Sequence, residues 1–210
     1  MCIRDSARND LADLYDMIKQ GASDYEILES SPEYFTQIDR MEKVRQTIYQ
    51  DAYRNVFRHL DVTYIWGDTG SGKTRSVMEQ YGYSNVYRIT NYAHPFDLYK
   101  REPVIIFEEF RSSLPLPDML NYLDGYPLAL PCRYSDRIAC YTTVFIISNI
   151  DLRQQYTEQQ RLDPESWLAF LRRIHHITVF QDKRTVTCST DQYLNGFHPI
   201  GNYVEIPFDP

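Results

Sequence analysis

The segment Gly67-Asp68-Thr69-Gly70-Ser71-Gly72-Lys73-Thr74 follows a β-branched and aromatic run at 62–66 and opens a helical pattern. A glycine-rich turn of the form G-x-x-x-x-G-K-[ST] between strand and helix constrains the chain more than any other feature in it. It demands a buried strand, a tight turn of inward-facing backbone N–H groups and a helix N-terminus, the arrangement that cradles phosphate groups. Lys73 is the residue type that reaches β and γ phosphates, and a hydroxyl at Thr74 is a ligand for Mg²⁺. Gly67 to Thr74 are therefore the expected nucleotide contacts, with ATP and Mg²⁺ as the expected cofactors.

A phosphate cradle needs a carboxylate at the end of a neighbouring buried strand. Val104-Ile105-Ile106-Phe107 is an apolar run of the kind buried on both faces of a parallel sheet, and Glu108 and Glu109 follow it directly. Ligands bind at the C-terminal ends of such strands, so Glu108 is assigned to Mg²⁺ with Thr74, and Glu109 to the catalytic base. A third apolar run, Val144-Phe145-Ile146-Ile147, leads into Ser148 and Asn149. An amide there is placed to orient a lytic water, although Ser-Asn after a strand is also ordinary turn chemistry.

Around these motifs the pattern has two parts. Apolar Leu11, Leu14, Met17 and Ile18 share a helical face, with Asn9 as a possible N-cap and Gly21 as a stop. Ser23 and Glu26 have capping-box spacing. Ser31 and Pro32 have the form of an N-cap and first helical residue, opening a helix through Ile38, Met41, Val44 and Ile48 towards Phe57. From Asp61 onward, short runs at 62–66, 85–90, 104–107 and 142–148 alternate with helical stretches, which predicts an α/β domain with a mainly parallel sheet. The expected divisions are an all-helical subdomain at 7–58, a P-loop ATPase domain at 59–182, and a hairpin with an irregular tail at 183–210. Residues 1–6, Met-Cys-Ile-Arg-Asp-Ser, can be encoded by ATG-TGT-ATA-AGA-GAC-AG, a string similar to a transposon-end adapter used in sequencing libraries. They are read as non-native and set aside from the fold, a genuine frayed terminus being the alternative.

Composition narrows the partners. In 210 residues, 22 Lys and Arg face 29 Asp and Glu for a net charge of −7, so any nucleic-acid contact must be local. Cys2, Cys132, Cys140 and Cys188 lack zinc or CxxC spacing and are read as free thiols of a reducing cytoplasm, and His94, His175 and His176 lack ligand partners and are read as structural. Most of the 18 tyrosines are expected as half-buried aromatics. No apolar run approaches the roughly 20 residues of a membrane span.

The order of phosphate loop, acidic pair and asparagine, over about 61–180, resembles the compact core of superfamily 3 helicases. The likeness is to the helicase domain of rolling-circle replication initiators, the Rep proteins of circular single-stranded DNA viruses and related bacterial plasmids. The resemblance implies a P-loop NTPase of AAA+/superfamily 3 type, preceded by a helical oligomerisation collar. It further implies a homo-oligomeric ring, a hexamer, hydrolysing ATP to translocate on single-stranded DNA. The segment Trp167-Leu168-Ala169-Phe170-Leu171-Arg172-Arg173-Ile174 is similar to the family's arginine-finger segment, which leaves Arg172 and Arg173 both open as the finger. A DNA-gripping hairpin is implied at 128–140, where Arg133, Tyr134 and Arg137 form a basic-aromatic cluster in place of the Lys and Gly that many members carry. No His-hydrophobic-His with a following Tyr occurs, so the family's nicking endonuclease is not encoded in these residues. The implied location is a bacterial cytoplasm for a plasmid protein or a host nucleus for a viral one. Two rivals stand beside this reading: an ATP-switched assembly module that does not unwind, and a small-molecule kinase, for which no acceptor or lid segment is evident.

Overall fold

The computed structural model describes residues 3–133, 137–181, 184–196 and 204–205. The chain divides into two compact units, Met1–Val56 and Phe57–Pro210.

The first unit is helical: α1 (Ile3–Lys19), α2 (Asp24–Ser30) and α3 (Ile38–Tyr53). Leu14, Ile18, Ile27, Tyr34 and Met41 form its core, and the Tyr34 hydroxyl donates to the Asp10 carbonyl at 2.6 Å. The Ser23 and Glu26 capping box forms, with Glu26 N donating to Ser23 Oγ and Ser23 N to Glu26 Oε2. Some expectations are corrected. Asn9 is not an N-cap, because α1 begins at Ile3 and runs through it. Leu11 is exposed although Leu14 and Ile18 on the same helix are buried. Ser31 makes no side-chain cap, and Pro32–Gln37 is a 3₁₀ turn that precedes α3. That helix stops at Tyr53, short of Phe57.

The second unit is built on a seven-stranded sheet: β1 (Asp61–Gly67), β2 (Val86–Ile89), β3 (Val104–Phe107), β6 (Thr143–Ser148), β7 (His176–Gln181), β8 (Arg184–Ser189) and β9 (Val204–Glu205). Their order is β2-β3-β6-β1-β7-β8-β9, with the first five parallel and β8 and β9 antiparallel to their neighbours. The strand carrying the phosphate loop and the strand carrying the acidic pair thus lie in one parallel sheet, separated by β6. A short ribbon, β4 (Ala129–Leu130) with β5 (Arg137–Ile138), stands apart. The helices are α4 (Lys73–Tyr81), α5 (Leu116–Tyr122), α6 (Thr157–Leu162), α7 (Pro164–Arg173) and α8 (Thr190–Leu194).

Period-two alternation sorts the strand residues into two cores. Val62, Tyr64, Ile105, Phe107, Val144, Ile146 and Ile177 pack on one face with Met119 of α5 and Trp167, Phe170 and Leu171 of α7. Ile65, Ile106, Phe145, Ile147 and Phe180 pack on the other with Val77 of α4. Two covered faces explain why β3 and β6 read as continuous apolar runs. β7 was not among the expected strands; β8 pairs with it and extends the sheet, and α8 carries its own Ser189 and Gln192 capping box.

Candidate nucleotide site at the strand ends

The Gly67 to Thr74 turn is shaped by its glycines. Gly67 has φ 148° and a Cβ there would collide with the Phe180 carbonyl of the neighbouring strand. Gly70 and Gly72 have φ 77° and 87°, left-handed values that cost other residues about 1 kcal/mol. Lys73 opens α4 and is buried, its Nζ donating to the carbonyls of Gly67 at 2.9 Å and Asp68 at 2.7 Å. Burial pushes its pKa below the usual lysine range, while the carboxylates of Glu109, Asp68 and Glu108 oppose that shift.

Glu108, buried at the end of β3, meets this turn directly. Its Oε2 accepts from Thr74 Oγ1 at 2.9 Å and its Oε1 from Arg88 Nε at 2.7 Å. Tyr92 donates its hydroxyl to the Glu108 carbonyl at 2.6 Å, and burial raises the Tyr92 pKa further above the usual tyrosine range. Among the described residues no group of three or more His, Cys, Asp or Glu is placed to hold a metal. One carboxylate beside one hydroxyl nevertheless fits Mg²⁺, which takes few protein ligands and keeps water or phosphate oxygens for the rest.

Glu109 is exposed and holds φ 47°. Its Oε2 accepts from Asn149 Nδ2 at 2.8 Å, so the ends of β3 and β6 are bridged by the two residues that the sequence marks there. Since a carboxylate only accepts, the nitrogen of Asn149 must face it. The other atom, Asn149 Oδ1, is buried without a hydrogen-bond partner. A buried acceptor in that condition is an unmet demand for a donor such as water.

The two arginines lie elsewhere. His175 N donates to the Val62 carbonyl, and Val62 N donates to His175 Nδ1, so the end of α7 sits at the N-terminal edge of β1. Five residues of strand, about 16 Å, separate that edge from Gly67. Arg173 is engaged locally, with Nη2 2.6 Å from Asp124 Oδ2 and Nη1 donating to the Ala169 carbonyl. Arg172 is exposed. Both line a cavity of about 310 Å³ with His59, Asp124 and His175.

At the β4–β5 ribbon, Arg133 pairs with Asp97, Nε to Oδ2 at 2.6 Å, which offsets its charge. Arg137 stands on β5 opposite Leu130, and Tyr134 lies outside the described residues. Cys140 and Cys188 are buried thiols, and Cys132 Sγ donates to the Phe96 carbonyl at 3.3 Å. Among the tyrosines, Tyr99 is fully buried and Tyr83 exposed. Sequence reasoning missed Arg88, Tyr92, Gln155 and the buried Arg58, whose guanidinium donates to the carbonyls of Tyr141, Asp124 and Tyr126. Only Arg58 and Arg88 carried a signal, a lone charge amid apolar residues.

No protein-family model matches the chain, and no curated protein matches it. Among solved structures it is similar to an S. cerevisiae Hsp104–ADP complex, at 18% identity and a TM-score of 0.38, over 74% of this chain and 38% of that one. The chain therefore spans well under half the length of that structure. Among the described residues, no helix is long and apolar enough to cross a membrane.

Proposed function

We propose that this chain is an ATP hydrolase whose nucleotide site lies at the C-terminal edge of β1, β3 and β6. The observation that carries the reading is the convergence of three separated motifs on one sheet edge: the Lys73 and Thr74 turn, Glu108 hydrogen-bonded to Thr74, and Glu109 hydrogen-bonded to Asn149. Lys73, on leaving the carbonyls that it now satisfies, binds the β and γ phosphate oxygens, and the backbone N–H groups of the turn bind the rest. Thr74 and Glu108 hold Mg²⁺, which when bound neutralises charge on the phosphates. Asn149 orients a water through its unpaired Oδ1, and Glu109 beside it accepts the water's proton.

The position of α7 supports a shared site. Arg172 and Arg173 stand at the sheet edge opposite their own phosphate loop, so an arginine that stabilises the transferring phosphate is supplied from another copy. Arg172, exposed and free of the Asp124 pair, is the better finger. Such a residue is worth about 10³ to 10⁵ in rate. The finer reading is that of a superfamily 3 helicase domain of a Rep-type initiator, ring-forming through 7–58 and moving on single-stranded DNA held by Arg133, Tyr134 and Arg137. Steady-state ATP hydrolysis with and without single-stranded DNA tests it, beside Lys73→Ala. DNA-stimulated turnover that Lys73→Ala abolishes supports the motor. Turnover indifferent to DNA leaves a hydrolase without that function, and binding without turnover favours the ATP-switched assembly module.

A further inference from the structure

Glu109 and Asn149 stand on different loops, and their 2.8 Å contact has to be fixed by something other than the chain between them. The residues next to them are joined: Ser148 Oγ donates to the Phe110 carbonyl at 2.7 Å, and Phe110 N to the Ile147 carbonyl at 2.8 Å. Gln155, fully buried, completes the connection. Its Nε2 donates to the Tyr64 hydroxyl at 2.8 Å, the Phe110 carbonyl at 3.0 Å and, more weakly, Ser148 Oγ at 3.3 Å. Its Oε1 accepts from Ser112 N at 2.6 Å and Ser112 Oγ at 2.9 Å. A backbone N–H can only donate, so the orientation of the amide is set. The Tyr64 hydroxyl continues to the Ile150 carbonyl at 2.9 Å. One side chain thus ties β1, the loop after β3 and the end of β6.

Backbone strain gathers at the same place. Glu109, Ser112 and Tyr156 have φ of 47°, 52° and 51°, three of the four positive values at non-glycine residues among the described ones. Left-handed conformations of this kind persist where surrounding contacts over-determine them, and they concentrate where geometry serves function. Tyr156 N donates to Ser112 Oγ at 2.7 Å, so the strained positions are held by the Gln155 cluster itself.

We propose that Gln155 is a positioning residue that sets the spacing of Glu109 and Asn149, and so governs turnover in place of nucleotide affinity. The inference rests on the hydrolase reading above. The hydrogen bonds of Gln155 go to neither Lys73, Thr74 nor Glu108, which separates it from the groups that hold nucleotide.

The test uses the full chain, wild type and the variants Gln155→Met and Gln155→Glu, with MgATP affinity by calorimetry and ATP turnover from pH 6 to 8.5. Gln155→Met keeps the volume and loses every side-chain hydrogen bond; its MgATP affinity is expected within about twofold of wild type and its turnover at least tenfold lower. Gln155→Glu still accepts from Ser112, but donates to Tyr64 or Phe110 only while its carboxyl is protonated. Its turnover relative to wild type therefore rises as pH falls. Wild-type turnover in Gln155→Met overturns the proposal, as does a parallel loss of affinity and turnover. Should Gln155→Met not fold, the pH ratio of Gln155→Glu decides, a flat ratio overturning it. Wild-type protein that does not hydrolyse ATP refutes the underlying reading instead.

Discussion

Arg88 holds Glu108 by an ion pair of 2.7 Å, on the carboxylate oxygen opposite the one that meets Thr74. A half-exposed guanidinium from β2 thus competes for a buried carboxylate that the reading gives to a cation. Replacing Arg88 by Ala leaves Glu108 more available, so the Mg²⁺ concentration for half-maximal ATP binding is expected to fall about two- to fivefold. Exposure of the arginine limits the stability cost to about 1 kcal/mol. Titration of nucleotide binding against Mg²⁺ checks the first, and urea unfolding the second. An increased Mg²⁺ requirement would show that Arg88 orients the carboxylate and does not compete for it.

Two glycines of one turn are expected to fail differently. Gly67→Ala drives a Cβ into the Phe180 carbonyl, where β1 and β7 pair, and should lower stability by about 3 kcal/mol or more. Gly70→Ala meets open space and costs about 1 kcal/mol for its left-handed φ. Denaturant unfolding separates the two.

If the proposed site binds ATP, Lys73 should give the affinity an alkaline limit. Burial lowers its pKa in the free protein, and phosphate oxygens beside it would raise that pKa on binding. Binding then takes up a proton at pH values above the free pKa, so affinity falls as pH rises through a range below that of an ordinary lysine. Calorimetry at increasing pH should show this loss in wild type, and Lys73→Arg should not show it.

Arg172 and Arg173 are adjacent but not equivalent. Arg173→Ala breaks the Asp124 pair and the bond to the Ala169 carbonyl, and a loss of about 1 to 2 kcal/mol is expected in denaturant unfolding. Arg172→Ala is expected to leave stability within about 0.5 kcal/mol while reducing ATP turnover at least a hundredfold. Equal turnover losses in the two variants, without a difference in stability, would contradict the assignment.

The sheet was legible because its central strands announce themselves chemically. Val104 to Phe107 and Val144 to Ile147 are apolar throughout, and Gly67 to Thr74 fixes where β1 ends. β7 was not, since His176, Thr178 and Gln181 interrupt its apolar residues and its pairing with β1 is set by distant neighbours. Helix boundaries in the first unit were misplaced for a related reason: Asn9 and Ser31 have cap chemistry, but propensity for a cap does not stop a helix that nothing else breaks. At the site, Lys73, Thr74, Glu108, Glu109 and Asn149 could be read from order along the chain. Tyr92 and Gln155 could not, because each acts through a tertiary contact with no local pattern to betray it, and Arg88 stood out only as a lone charge amid apolar residues.

The most direct test of the account mixes two inactive proteins, Lys73→Ala and Arg172→Ala, and follows ATP hydrolysis against total protein concentration. Each lacks one half of the proposed composite site, so interfaces that join an intact phosphate loop to an intact Arg172 should restore a measurable fraction of wild-type turnover, rising more than linearly with concentration. A mixture as inactive as its components, beside a wild type whose specific activity does not change with concentration, would contradict a site shared between copies of this chain.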